Sequence, residues 1–145
     1  MNKKIFGRKL SRSRPAREAL FSSLIRALIL SGKIETTLAK AKAIQGQAEK
    51  MVTLAKGGLV SGRRKVLAGL DNDRKVCDLF FQKVAPSFAG RNSGFTRIIH
   101  LSARRGDSAQ MVRIEWTEKI ADREKGIDNK EKTKAEKTKT RKPVR

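Results

Sequence analysis

The side chains in this sequence that are equipped for chemistry are mostly cationic, and they come in groups. Lys3, Lys4, Arg8, Lys9, Arg12, Arg14 and Arg17 fall within residues 1–17 with no acid among them. Arg63, Arg64 and Lys65 form a run. Arg104 and Arg105 stand together ahead of Gly106-Asp107, with Arg91, Asn92 and Arg97 a little upstream. The planar fork of arginine donates two hydrogen bonds at once to a phosphate, and lysine supplies a point charge. The chemistry this pattern suits is non-covalent binding of a polyanion.

Bond-making chemistry finds little material. The chain has one histidine and one cysteine, whereas a metal site needs several such ligands at set spacings. Neither a GxxxxGK[ST] loop nor a GxGxxG turn occurs. Cys77, between Val76 and Phe80, reads as a buried small hydrophobe rather than a nucleophile. His100 has no carboxylate partner in its stretch and reads as a strand residue touching RNA or solvent. A stacking platform for bases would have to come from Phe95 or Trp116, but no two exposed aromatics stand at sheet spacing. The expectation is a protein with no catalytic residues, no cofactor and no metal.

The distribution of charge sharpens this. The formal net charge is +21 over 145 residues. Residues 1–17 contribute +7, residues 18–117 +9 and residues 118–145 +5. With balanced acids, a charged face is most simply a solvated one. Here the arm is free of acid and the body is itself positive, which favours polyanionic partners. Nucleic acid comes first and an anionic membrane surface second. A lone cysteine excludes a disulfide framework within the chain, and no stretch is long and apolar enough to span a bilayer. The apolar run Ala19 to Leu30 behind a basic start imitates a targeting peptide. Arg26 interrupts it, however, and it has a helix start and stop of its own.

Residues 1–14 hold too few apolar side chains for a core and read as an arm without stable structure of its own. Ser13-Arg14-Pro15 starts a first helix, with Glu18 expected in its first turn. Leu20, Phe21, Leu24, Ile25 and Leu28 form its stripe, and Ser31-Gly32 ends it. Ile34 to Thr37 is a short strand, and Thr37 is a candidate cap for a helix over 38–56. That helix buries Leu38, Ala41, Ala48, Val52 and Ala55, with Ile44 and Met51 beside them. Gly46 is its weak point. A third helix covers 61–70, and its basic start opposes the helix dipole, which suggests that the run serves something other than stability.

Asp71-Asn72-Asp73 caps a fourth helix over 73–85 that Pro86 should end. Its stripe is Val76, Cys77, Phe80, Phe81 and Val84. A loop then leads into a hairpin: Phe95 to Ala103, a turn at 104–108, and Met111 to Thr117. Val112, Ile114 and Trp116 alternate with Arg113 and Glu115, the period of a half-buried strand. Residues 118–145 are Lys, Glu and Thr with little to bury and read as a disordered charged tail.

GRKLSR near the start, IETTLAKAK, AEKMVTLAK, the Arg63-Arg64 pair and RNSGFTRI followed by RRGDSAQM resemble the bacterial-type large-subunit ribosomal protein seventeen family, in order and spacing over about residues 5–117. The resemblance implies an α+β domain over residues 15–117, with about four helices packed on a small three-stranded mixed sheet that includes IETT. It implies a structural component of the large ribosomal subunit, bound to the large ribosomal RNA near the polypeptide exit side. Neighbouring ribosomal proteins, notably protein thirty-two, would touch it. It implies neither catalysis nor cofactor, no small-molecule substrate and no membrane, and a bacterial cytoplasm in preference to an organelle matrix.

Departures from the family pattern are local. The arm has no histidine, Gln45-Gly46 stands where an Arg-Pro is common, and Ser93 and Phe95 replace a Gly and a Tyr. A DNA-binding architectural protein shares the basic surface but should show a recognition helix or dimer seam. An RNA-modifying enzyme should show a cofactor loop or catalytic cluster. Neither is present in the sequence.

Overall fold

The computed structural model describes residues 7–118 and residue 120. Lys3 and Lys4 of the arm, and the charged tail apart from residues 118 and 120, lie outside the described residues. Helix α1 spans Arg14–Ser31, with Ser13 at its cap position and Pro15 in its first turn. Glu18 is one turn further in than the sequence suggested. It pairs with Arg14 at 2.9 Å along the exposed helix face instead of meeting the dipole. Gly32 closes α1 with φ 72°, a left-handed conformation that glycine adopts without strain, and its N–H reaches the Leu28 carbonyl.

Strand β1 (Lys33–Thr37) runs straight into α2 (Leu38–Lys56). Thr37 sits at the cap position, but its side chain makes no capping bond. The first helical N–H, of Leu38, donates to the Gln110 carbonyl at 3.1 Å. Ala41, Ile44, Ala48, Met51, Val52 and Ala55 are buried along one face of α2, as their spacing predicts. Helix α3 spans Val60–Gly69 and packs closely on α2. A Cβ placed on Gly62 would lie 2.6 Å from the Leu54 carbonyl oxygen.

Asp71 and Asn72 both have positive φ, and Asp73 caps α4 (Arg74–Leu79) through its carboxylate and the Val76 N–H. Pro86 does not end this helix. The run continues through a π-helical segment, Phe80–Val84, into a last helical turn, α5 (Ala85–Ser87). A proline ring clashes with the carbonyl four residues back in a regular helix. Here the Ala85 N–H bonds to the Phe80 carbonyl, five residues back, and the wider turn makes room for the ring.

Strands β2 (Thr96–His100) and β3 (Met111–Trp116) complete a sheet of order β1-β3-β2. Both pairings are antiparallel, which corrects the expected mixed sheet. Strands β1 and β2 point the same way, but β3 lies between them, so no parallel pair forms. Ile34, Ile114 and Ile98 stand in one cross-strand row.

Val112, Ile114 and Trp116 are buried under the helices, together with Ile25, Leu28, Val52, Val66, Leu70, Val84 and others. Phe88 stacks edgewise on Phe95 with ring centres 5.3 Å apart, and Trp116 lies 5.9 Å from Phe88 and 6.3 Å from Phe80. Phe95 is 1% exposed and Trp116 4%. Both rings are therefore core, not platforms for bases. Cys77 is buried as expected, and burial pushes its thiol pKa up.

Candidate nucleic-acid interface

The sheet's outer face carries Lys33, Glu115 and Arg97 in one row and Glu35, Arg113 and Ile99 in the next. Within it Arg97 pairs with Glu115 at 2.5 Å, and Arg113 pairs with Glu35 at 2.8 Å. In the loop before β2, Arg91 bonds the Gly94 carbonyl at 3.2 Å and Glu118 at 2.9 Å. Lys56 holds the same loop from α2. Its ammonium donates to the Arg91 carbonyl and lies 5.7 Å from the Phe95 ring centre. Asn92 is exposed at the loop's outer side.

At the hairpin tip, Arg104 grips Asp107 through Nε at 3.1 Å and Nη2 at 2.6 Å. The Ala109 N–H adds a third bond to that carboxylate. The Arg104 guanidinium foremost, then this N–H, bring the Asp107 carboxyl down to about 2. Arg105 beside it is exposed and has no polar partner among the described residues.

On the helical side, Arg63 reaches from α3 to Asp78 on α4 and lies 5.5 Å from the Phe81 ring centre. It bridges two helices. Arg64 and Lys65 next to it are exposed and unpaired among the described residues. The same holds for Arg8 and Lys9 in the arm. Arg17 is half-buried without an acid partner, and Arg12 bonds only the Leu10 carbonyl at 2.9 Å, in a turn closed by the Arg12 N–H on Lys9.

The arginines singled out from the sequence thus divide into two sets. Arg14, Arg63, Arg91, Arg97 and Arg104 are ion-paired. Exposed pairs of this kind are worth about 0–1 kcal/mol, so a guanidinium can exchange its carboxylate for a phosphate at small cost. The accompanying acid nevertheless cancels the local field. Uncompensated charge sits on the arm, at Arg17, at Lys33 on β1, at Arg64-Lys65, at Arg105, and on four exposed helical residues that the sequence reading left out of the site.

Those four are Lys42 and Lys50 on α2 and Arg74 and Lys75 on α4, all exposed and without acid partners among the described residues. The i, i+8 spacing of Lys42 and Lys50 was the available signal. Its meaning depends on where the acids go, which only the folded chain decides. Among the described residues no group of three or more His, Cys, Asp or Glu is placed to hold a metal. No described helix is long and apolar enough to cross a membrane.

A small, strongly basic α+β domain with its cations spread over an arm, a hairpin tip and a helical face is the class these features define. The sequence model of ribosomal protein L17 matches residues 20–117. The chain is 48% identical over 107 residues to the large ribosomal subunit protein bL17 of Symbiobacterium thermophilum, covering 74% of this chain and 94% of that one. It is 46% identical over 119 residues to the protein of that name from Persephonella marina, with 81% and 96% covered. The Clostridioides difficile protein of the same name is 45% identical over 108 residues, with 74% and 95% covered. The chain belongs to the ribosomal protein L17 family.

Proposed function

We propose that this protein is a structural component of the large subunit of a bacterial ribosome, where it binds large-subunit ribosomal RNA through phosphate and shape with little base reading. The observation that carries the reading is the match, over more than nine-tenths of their length, to relatives that are named large ribosomal subunit proteins. The charge supports it. A net positive body with unpaired cations suits a phosphate lattice and offers no constellation for bond-making.

In this reading the arm, residues 1–14, contributes Lys3, Lys4, Arg8, Lys9, Arg12 and Arg14, which displace counterions along the RNA. Arg17, Arg64, Lys65 and Arg105 add contacts from the domain, residues 15–117. Arg63, Arg91, Asn92, Arg97 and Arg104 orient it, exchanging carboxylate for phosphate. The charged segment 118–145 is an extension beyond the domain. The seat is near the polypeptide exit side, beside ribosomal protein thirty-two and other neighbours, on ribosomes in the cytoplasm. The protein holds RNA helices together during assembly and carries out no reaction.

Sedimentation of a cell extract through sucrose tests this. The tagged protein should migrate with free large subunits and whole ribosomes, and stay there at moderate salt. Migration only with soluble fractions or with DNA would overturn the reading.

A further inference from the structure

Gly46 stands in the middle of α2, where glycine weakens a helix. The described helices contain three glycines, and Gly62 has a plain packing reason. A Cβ on Gly62 would strike the Leu54 carbonyl at 2.6 Å, whereas one on Gly69 would meet only the movable end of the Met51 side chain, at 2.5 Å. Gly46 has no such reason. Nothing lies within 4 Å of its Cβ position, and its φ is not positive. Neither the backbone conformation nor any intramolecular neighbour calls for a glycine there.

What surrounds it is informative. Lys42 and Lys50 are four residues before and after it, both exposed, and Thr53 continues the same stripe. At 1.5 Å per residue the two lysines are roughly 12 Å apart along the axis, with Gly46 midway. The sole acid of α2, Glu49, is half-buried and turned toward β2, where it accepts a bond from the Thr96 hydroxyl at 3.5 Å. The stripe is therefore a bare length of helix backbone between two lysines that have no acid partner among the described residues.

We infer that the Lys42–Gly46–Lys50 face of α2 is a contact surface for an RNA sugar–phosphate strand, with Gly46 as the point of closest approach. The inference rests on the ribosomal RNA reading above and deepens it. A glycine lets a rigid strand come against the helix backbone, and the flanking lysines neutralise a phosphate on each side. The strand's 2′-hydroxyls can donate to helix carbonyl oxygens that a side chain would otherwise cover. An acidic protein would use the same charges, but its flexible carboxylates have no need of a bare backbone between them.

The test uses the full chain and transcribed large-subunit ribosomal RNA, with affinity measured across a salt series. Gly46→Ala should raise the thermal midpoint of the free protein by roughly 3–5 °C, because nothing in the fold needs the glycine. Gly46→Leu should weaken RNA binding roughly tenfold while also folding well. Lys42→Gln with Lys50→Gln should lower the slope of log K against log salt by roughly 1.5, for two lost phosphate contacts. A Gly46→Ala protein that is less stable than the parent would overturn the inference, because the glycine would then serve the fold.

Unchanged affinity in Gly46→Leu and an unchanged slope in the lysine variant would overturn it while leaving the parent reading intact. Normal RNA binding by Gly46→Leu with loss of co-sedimentation would also overturn it, by making the partner a protein. Failure of the unaltered chain to bind the RNA would bring down the parent reading as well.

Discussion

The indole N–H of Trp116 donates to the Leu28 carbonyl at 3.1 Å, tying the central strand of the sheet to a helix 88 residues earlier in the sequence. The same carbonyl receives the Gly32 N–H at 2.9 Å, so one oxygen closes α1 and anchors β3. Trp116 is the chain's single tryptophan and lies against Phe80 and Phe88. Trp116→Phe keeps most of the ring packing and leaves Leu28 with its Gly32 bond. It should cost about 1–2 kcal/mol. Trp116→Ala should cost about 3–5 kcal/mol through the cavity it opens. Denaturant unfolding followed by circular dichroism ranks the two, and equal losses would show that the hydrogen bond, not the ring, carries the anchor.

Gly62 predicts a contrast with Gly46. Its missing side chain allows α3 to sit against the Leu54 carbonyl, and backbone cannot rotate aside as a long side chain can. Gly62→Ala should lower stability by about 1–3 kcal/mol, as overpacking does. A thermal midpoint equal to that of the unaltered chain would mean that α3 shifts freely on α2.

Asp107 predicts a pH dependence. Its carboxyl lies at about 2 in the folded chain, held below the ordinary 3.8 chiefly by Arg104. A depressed folded pKa stabilises the native state above the unfolded value, and the contribution disappears as pH falls from about 4 through about 2. Asp73, whose carboxyl is lowered first of all by the Val76 N–H, acts in the same direction. Carboxyl NMR titration of Arg104→Gln should show Asp107 moving up toward the ordinary value. No movement would assign the shift to the Ala109 N–H instead.

Removal of residues 1–12 should weaken RNA binding and lower the salt slope by roughly 3, for up to five lost lysines and arginines. It spares α1, which begins at Arg14, so the thermal transition of the free protein should stay within a few degrees. At the hairpin tip, Arg105→Gln should lower the slope by roughly 1. Arg104→Gln should lower it less, since Arg104 brings Asp107 with it. Equal effects from the two would show that the ion pair opens fully on binding.

The secondary structure was legible in the chain because local rules write it there. The α2 face repeats at helical spacing, Val112, Ile114 and Trp116 alternate at strand spacing, and Gly32 and Asp73 mark ends by backbone and capping chemistry. Local rules erred where the backbone had a second option. Pro86 is absorbed because a π turn precedes it, and the sheet is purely antiparallel because β3 takes the middle position.

The surplus of positive charge was equally plain from composition. Which cations remain uncompensated was not, because their partners come from distant parts of the chain. Arg63 meets Asp78 from 15 residues away, Arg97 meets Glu115 from 18, and Arg113 meets Glu35 from 78. Lys42 and Lys50 stay unpaired among the described residues because Glu49, the one acid on their helix, turns toward Thr96. Composition determined a large surplus of positive charge. The pairing of acids with some bases, settled only when the helices closed on the sheet, decided where on its surface that charge is left over.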